Sequence, residues 1–444
     1  MAASAFIISE HTIDCQYIRE YPHATSTQNA PLKLLIKKYT PVNNTSPQPG
    51  DVTLIAAPGT GMPKELYEPL WTDLIERSYL DGFGIRAIWS AEPANQGGSG
   101  VLNENCLGNE PSWFDHTRDL LHMINHFRDD MPQPIMSVGH SAGATQQIFL
   151  SLMHPRLLTS MILLEPWMYD APRREGNKWI FARAKQPDTW PSRAEALKQS
   201  AKRLVSWDPR VIRLWAEYGY RDLPTALHPD SESESLKGTS NEKPVTMTTP
   251  LAQETFMYLR PNPNRHKQLG LPDEENDNGS DGPSPPHDPL AVPDMMGGLY
   301  PKQRFYRSEG MMAWKGLPHV RPSVLFVTGS KSALSQTGHL KKAAERTGTG
   351  IGGSGGIEYD RVKQVELESG HTLPFEKDVI GETAKVVSGW IAREVERWRQ
   401  DEKRIEEGWK DRPVQDRVGF SAEWKEQMDV ALKDLPDRRR GSKL

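Results

Sequence analysis

Residues 134–144 read Pro134-Ile135-Met136-Ser137-Val138-Gly139-His140-Ser141-Ala142-Gly143-Ala144. Ile135 to Val138 is a short apolar run, the pattern of a buried strand, and Ala142 to Met153 has the composition of a helix. Between them lies Gly-X-Ser-X-Gly, so the local order is strand, tight turn, helix. Gly139 and Gly143 flank Ser141 where strand and helix crowd one another, and a side chain at either position would clash. Ser141 is expected in a strained backbone conformation that lifts its hydroxyl out of the turn. The helix that starts beneath it sets the Ala142 N–H and the positive end of the dipole beside any oxygen that gains negative charge.

Working outward, the same alternation recurs on both sides. Two strand-like runs lie between Phe6 and Tyr39, and Val52 to Ala57 is a further buried strand running into Pro58-Gly59-Thr60-Gly61. A helix is predicted over Glu65 to Leu80, a strand over Ile85 to Ser90, a glycine-rich loop around Gly97 to Gly100, and a helix over Asp115 to Arg128. Ser160-Met-Ile-Leu-Leu follows as a strand and ends in Glu165-Pro166. This spacing implies a mostly parallel α/β sheet covered on both faces. The pattern then breaks. Residues 167–317 read as helical pieces rich in tryptophan, an insertion over a core built from 1–166 and 318–400. Within the insertion Ser231 to Asn241 and Asp273 to Pro289 are acidic and almost free of apolar residues, and are expected to be mobile. A helix is expected over Pro250 to Leu259. The sheet resumes at Ser323 to Thr328 and Val362 to Leu367, and a long helix from Val379 becomes strongly charged before a tail over 401–444.

A serine hydroxyl needs a base to act as a nucleophile, and the base needs an orienting carboxylate. In this strand-helix order the base belongs after the last strand, where Glu368-Ser369-Gly370-His371-Thr372-Leu373-Pro374 lies. His371 is the candidate. The loop after Ser323 to Thr328, a usual place for the acid, reads Gly329-Ser330-Lys331-Ser332-Ala333-Leu334 and holds no carboxylate. Glu165 closes the preceding run of buried aliphatics, where a charge is out of place unless paired. It is the candidate acid, with Asp188 as the alternative. For the oxyanion, the second N–H besides Ala142 is expected from Thr60, with Gly61 close behind.

With 444 residues and a formal net charge of -4, the chain offers no electrostatic case for nucleic acid. Cys15 and Cys106 are too few for a disulfide framework and point to a reducing compartment. No stretch has the apolar length of a membrane span, and the N-terminus lacks the pattern of a secretory leader. Ser442-Lys443-Leu444 is the tripeptide read by the peroxisomal import receptor, with Arg438 to Arg440 keeping it solvated.

The chain resembles the α/β-hydrolase superfamily and, more narrowly, fungal peroxisomal hydrolases of polyketide pathways. That group includes the hydrolases of Alternaria host-selective toxin biosynthesis and the acyl-CoA hydrolase of mycophenolic acid biosynthesis. The likeness is carried by Tyr17-Ile-Arg-Glu-Tyr-Pro, Pro63-Lys-Glu-Leu-Tyr-Glu-Pro-Leu-Trp, Pro111-Ser-Trp-Phe-Asp-His-Thr-Arg-Asp-Leu, Gly139-His-Ser-Ala-Gly and Met153-His-Pro-Arg-Leu-Leu, together with the terminal Ser-Lys-Leu. It implies a Ser141–Glu165–His371 triad with the acid after the sixth strand. Pro58 stands where the family usually carries histidine, and Glu165 where it usually carries aspartate. The resemblance and the peroxisomal signal together lead to an acyl-CoA hydrolase of a secondary-metabolite intermediate, working through an acyl-enzyme in the peroxisomal matrix without cofactor or metal. The partners expected are a small acyl thioester and the import receptor. A carboxylesterase acting on oxygen esters is the alternative, and a hydrolase fold that only binds is a third reading. Dehalogenases and epoxide hydrolases need a carboxylate where Ser141 stands. Arg173, Arg174, Lys178, Arg183 and Lys185 are expected to receive coenzyme A phosphates or to form a solvated surface. Gly348 to Gly356 is either a phosphate cradle or a plain loop. Trp167, Trp179, Trp190, Trp207 and Trp215 should pack the insertion, with some of them lining an apolar acyl pocket. Met295, Met296, Met311 and Met312 read as packing.

Overall fold

A computed structural model describes residues 5–170, 178–229, 242–261 and 305–435. The acidic stretches 231–241 and 273–289, Arg173, Arg174, Met295, Met296 and the terminal tripeptide fall outside them. The chain divides into two compact units, Met1–Val395 and Glu396–Leu444.

In the first unit the strands are β1 (Phe6–Asp14), β2 (Lys33–Pro41), β3 (Val52–Ala57), β4 (Ile85–Ala91), β5 (Ile135–His140), β6 (Ser160–Leu164), β7 (Ser323–Gly329) and β8 (Val362–Leu367). They form one sheet in the order β1-β2-β4-β3-β5-β6-β7-β8. β1 with β2 and β2 with β4 are antiparallel, and every later neighbour is parallel. Every residue of β3, β5, β6 and β7 is buried, as a parallel sheet sandwiched between helices requires. Two apolar layers result. Leu54, Met136, Ile162 and Leu325 face Leu70, Leu74, Val387 and Ile391 on one side. Ile55, Ile135, Met161 and Phe326 face Leu120, Ile148 and Ala343 on the other. This is the α/β architecture expected from the sequence.

Helix α1 (Glu68–Leu80) is preceded by a 3-10 turn, Lys64–Tyr67, so the expected helix over 65–80 starts tighter than predicted. The stretch from Gly97, read as a loop, is instead helix α2 (Gly97–Asn103). There, the close backbone approach of Gly100 to Asn95 leaves no room for a side chain, and the Gly97 N–H is held by the Thr249 hydroxyl at 2.8 Å. Helix α3 (Trp113–His126) is capped by Ser112, and α4 (Ala142–Met153) follows Ser141 directly.

Between β6 and β7 the described residues hold short helices, among them Lys178–Ala184, Pro209–Tyr218 and Leu251–Phe256. They also hold antiparallel pairings that helical reading missed: Thr189–Trp190 and Tyr220–Asp222 on either side of Val245–Met247, and Arg260–Pro261 with Phe305–Tyr306. Strands of two or three residues carry no readable period. Trp190, Trp207 and Trp215 are buried packing residues, as is Met311, while Met312 is exposed.

The second unit continues the helix Ile380–Trp409 and adds the helices Val414–Val418 and Ala422–Asp434.

Candidate active site

Ser141 sits between β5 and α4 with φ 55° and ψ -119°, a conformation that L-residues rarely adopt. The surroundings impose it. A Cβ at Gly139 would lie 2.5 Å from the Ala144 Cα, and one at Gly143 would lie 2.1 Å from the Ala57 carbonyl oxygen. The turn is therefore compressed to a radius only glycines permit, and Ser141, 3 % exposed, is presented at the carboxyl edge of the sheet.

His371 lies in the loop after β8, and its Nε2 is 2.9 Å from Ser141 Oγ. Its Nδ1 is 3.1 Å from Glu165 Oε2. A carboxylate only accepts, so Nδ1 carries the proton and Nε2 accepts from the serine hydroxyl. Glu165, at the end of β6, is fully buried and has φ 47°. Its second oxygen, Oε1, accepts the Gly329 N–H at 2.7 Å. The longer glutamate side chain thus spans from β6 to His371 while braced on the last residue of β7. Gly329 carries no acid but supplies this brace. Asp188, the alternative acid, pairs with His228 at 3.5 Å instead.

A further loop closes on the serine. Gly59-Thr60-Gly61 follows β3. The Gly59 N–H donates to the Tyr67 hydroxyl at 2.9 Å and the Gly61 N–H to Gln96 Oε1 at 2.6 Å. Among the described residues the Thr60 amide makes no such bond. Above it, the Glu254 carboxylate packs on Gly61 and is held by Arg183 at 3.1 Å. Met257, Trp113 and Trp167 pack against Ala142. Trp167 stands edge-on to His371 at 6.1 Å and to Trp179 at 5.9 Å, and Tyr258 closes against both tryptophans. An aromatic wall therefore covers the histidine side of the site.

His140 was read from the sequence only as part of the elbow. Burial, reinforced by the adjacent His371, pushes it down to about 3, so it is neutral. Of the two readings the sequence allows for Gly348 to Gly356, the hydrogen bonds favour the plain loop. In Gly348 to Gly356 the amides of Gly348, Gly350, Ser354 and Gly355 bond to Leu317, Pro318, Val320 and Gly348 carbonyls at 2.8–3.0 Å, leaving them unavailable to a phosphate. Of the cationic cluster, Arg183 is paired to Glu254, while Lys178 and Lys185 are exposed. No group of three or more His, Cys, Asp or Glu suited to a metal occurs among the described residues, and no described helix is long and apolar enough to cross a membrane.

No protein-family model matches the chain. It is 37 % identical over 421 residues to the type I acyl-CoA thioesterase mpaH of Penicillium roqueforti, covering 91 % of each chain. The type I acyl-CoA thioesterase mpaH' of Penicillium brevicompactum is 37 % identical over 453 residues, covering 99 % of this chain and 98 % of that one. The chain belongs to the mpaH family of α/β-hydrolases. It is a hydrolase. The abhydrolase domain-containing protein AFT2-1 of Alternaria alternata is more distant, 25 % identical over 267 residues, 60 % of this chain and 85 % of that one. Among solved structures, the peroxisomal α/β-hydrolase Lpx1 of Saccharomyces cerevisiae shares the fold at a TM-score of 0.59, with 16 % identity over 97 % of this chain and 98 % of that one.

Proposed function

We propose that this mpaH-family hydrolase cleaves an acyl-CoA thioester of a secondary-metabolite intermediate through an acyl-enzyme on Ser141. The observation that carries the reading is the unbroken line from Ser141 Oγ through His371 to Glu165, with contacts of 2.9 and 3.1 Å. His371 Nε2 takes the serine proton as Oγ attacks the thioester carbonyl, and Glu165 stabilises the imidazolium that forms. The Ala142 and Thr60 amides hold the oxyanion, because the amides on either side of Thr60 are engaged elsewhere. Collapse of the tetrahedral adduct expels the coenzyme A thiol with the proton from His371. Water activated by the same histidine then attacks the acyl-serine, and the acid leaves.

Residues 167–317 serve as a cap over the 1–166 and 318–400 core, with Trp167, Trp179 and Tyr258 facing the acyl group, and 401–444 as a tail. Ser442-Lys443-Leu444 engages the import receptor and delivers the enzyme to the peroxisomal matrix, where acyl-CoA is the natural substrate class. The test is a hydrolysis panel of acyl-CoA thioesters against matched oxygen esters, with Ser141→Ala as control. Thioester turnover well above oxygen-ester turnover, abolished by Ser141→Ala, is expected. Preference for oxygen esters would make the protein a carboxylesterase, and no turnover of either would leave a binding protein.

A further inference from the structure

One buried hydrogen-bonded chain connects all three loops of the site. The Gly59 N–H donates to Tyr67 Oη at 2.9 Å. Tyr67 Oη lies 2.7 Å from His140 Nδ1, and His140 Nε2 lies 2.9 Å from the main-chain carbonyl oxygen of His371. The carbonyl end and the neutral ring dictate its polarity. A carbonyl only accepts, so Nε2–H must donate to His371, and because the buried ring is neutral its Nδ1 accepts from the Tyr67 hydroxyl, which in turn accepts from the Gly59 N–H. That arrangement places the His140 proton on Nε2.

The chain is also held sterically. Trp71 stacks on Tyr67 at 5.9 Å, and Phe375, four residues beyond His371, meets Tyr67 at 4.9 Å and His140 at 5.6 Å. A Cβ on Gly59 would lie 3.0 Å from His140 Nδ1 and press on the ring.

We infer that Tyr67 and His140 are positioning residues: they lock the loop bearing Thr60 and the loop bearing His371 to the residue next to the nucleophile. This rests on the serine-hydrolase reading above. Tyr67 fixes Gly59, whose carbonyl carbon is bonded to the Thr60 nitrogen, and so sets the direction of the Thr60 N–H. His140 fixes the His371 backbone, and so sets where the imidazole stands between Ser141 and Glu165. The group before the nucleophile thereby registers the base and the oxyanion donor against the serine at once. Misplacement by even an ångström at such positions costs catalysis rather than binding.

The experiment measures kcat and KM for an acyl-CoA, and the rate of Ser141 labelling by a fluorophosphonate probe, in Tyr67→Phe, His140→Gln and the double variant. Tyr67→Phe removes the hydroxyl alone. His140→Gln keeps a donor able to reach the His371 carbonyl but offers Tyr67 no ring nitrogen. Each single variant is expected to lose about 10- to 100-fold in kcat and in labelling rate, with KM within about twofold. The double variant should lose no more than the worse single one, because both break the same chain. Losses that multiply, or lowered melting temperature with unchanged kcat and labelling, overturn the inference. If Tyr67→Phe does not fold, His140→Asn, which retains an acceptor for Tyr67 but not the bond to His371, gives the same reading on kcat and labelling. A wild-type enzyme that the probe does not label would instead overturn the serine mechanism.

Discussion

Replacing Glu165 by glutamine tests the acid through geometry particular to this chain. The two side chains have the same shape, so the substitution changes hydrogen-bonding character and charge alone. The Gly329 N–H, 2.7 Å from Oε1, demands an acceptor and so fixes the glutamine amide with its oxygen toward Gly329. The NH2 group then faces His371 Nδ1 at the position of Oε2, now 3.1 Å away, and can only donate. Nδ1 must become the acceptor, and the neutral ring moves its proton to Nε2, the atom that has to receive the serine proton. Reversal of this tautomer in a related arrangement costs about 10^4 in kcat, equivalent to about 5.4 kcal/mol of barrier. Glu165→Asp, by contrast, keeps the charge but withdraws the carboxylate by roughly the 1.5 Å of one carbon–carbon bond. The wrong tautomer is not enforced, so a smaller loss is expected, about 10- to 100-fold. Thiol release from an acyl-CoA, followed at saturating substrate with folding checked by circular dichroism, should rank wild type above Asp above Gln. A glutamine variant as active as the aspartate one would refute the reasoning.

Gly143→Ala places a methyl group 2.1 Å from the Ala57 carbonyl oxygen, which no side-chain rotation relieves; a loss of about 1–3 kcal/mol in urea unfolding is expected, with activity falling alongside. Because His140 is held down to about 3 by burial, its unfolded form binds a proton that the native form refuses between that value and the ordinary histidine range. Stability from this group is therefore complete above about pH 6.5 and falls as pH drops, by about 2 kcal/mol at pH 5. Unfolding titrations of wild type and His140→Asn at pH 7 and 5 should differ in their acid sensitivity by that amount, and equal sensitivity would contradict it. Removing Ser442-Lys443-Leu444 should leave a fluorescently tagged protein in the cytosol with unchanged kinetics; retained peroxisomal signal in cells lacking the full-length chain would contradict it.

Much of this was legible in the sequence because the chain is locally consistent. β3, β5, β6 and β7 are short, mostly apolar runs, and the elbow glycines are set by close packing that any residue with a side chain would break. Glu165 stood out as a charge ending a buried strand, and His371 as the histidine after the last strand. What the sequence hid depends on distant contacts. Nothing near Gly329 announces that its N–H braces a glutamate 164 positions earlier. Tyr67 and His140 are 73 positions apart, and each reads as part of a packed element rather than as a link between loops. Of the two glycine-rich stretches, the one from Gly97 misled, and the other took one of the two forms the sequence allows. Residues from Gly97 form a helix, with the Gly97 N–H on the Thr249 hydroxyl and Gly100 packed against the Asn95 backbone, while the amides of Gly348, Gly350, Ser354 and Gly355 turn inward on neighbouring carbonyls. The charged face read from Arg173 to Lys185 is partly neutralised by Glu254, a partner placed by folding and not by sequence proximity.

The most direct test of the account is rapid quenching of the enzyme with a slowly hydrolysed acyl-CoA, followed by peptide mass analysis. The acyl group should appear on the peptide carrying Ser141, form at the rate of the first burst of thiol release, and be absent from Ser141→Ala. A Ser141→Ala enzyme that turns over acyl-CoA at the wild-type rate, with no acyl group found on Ser141 in the wild type, would contradict it.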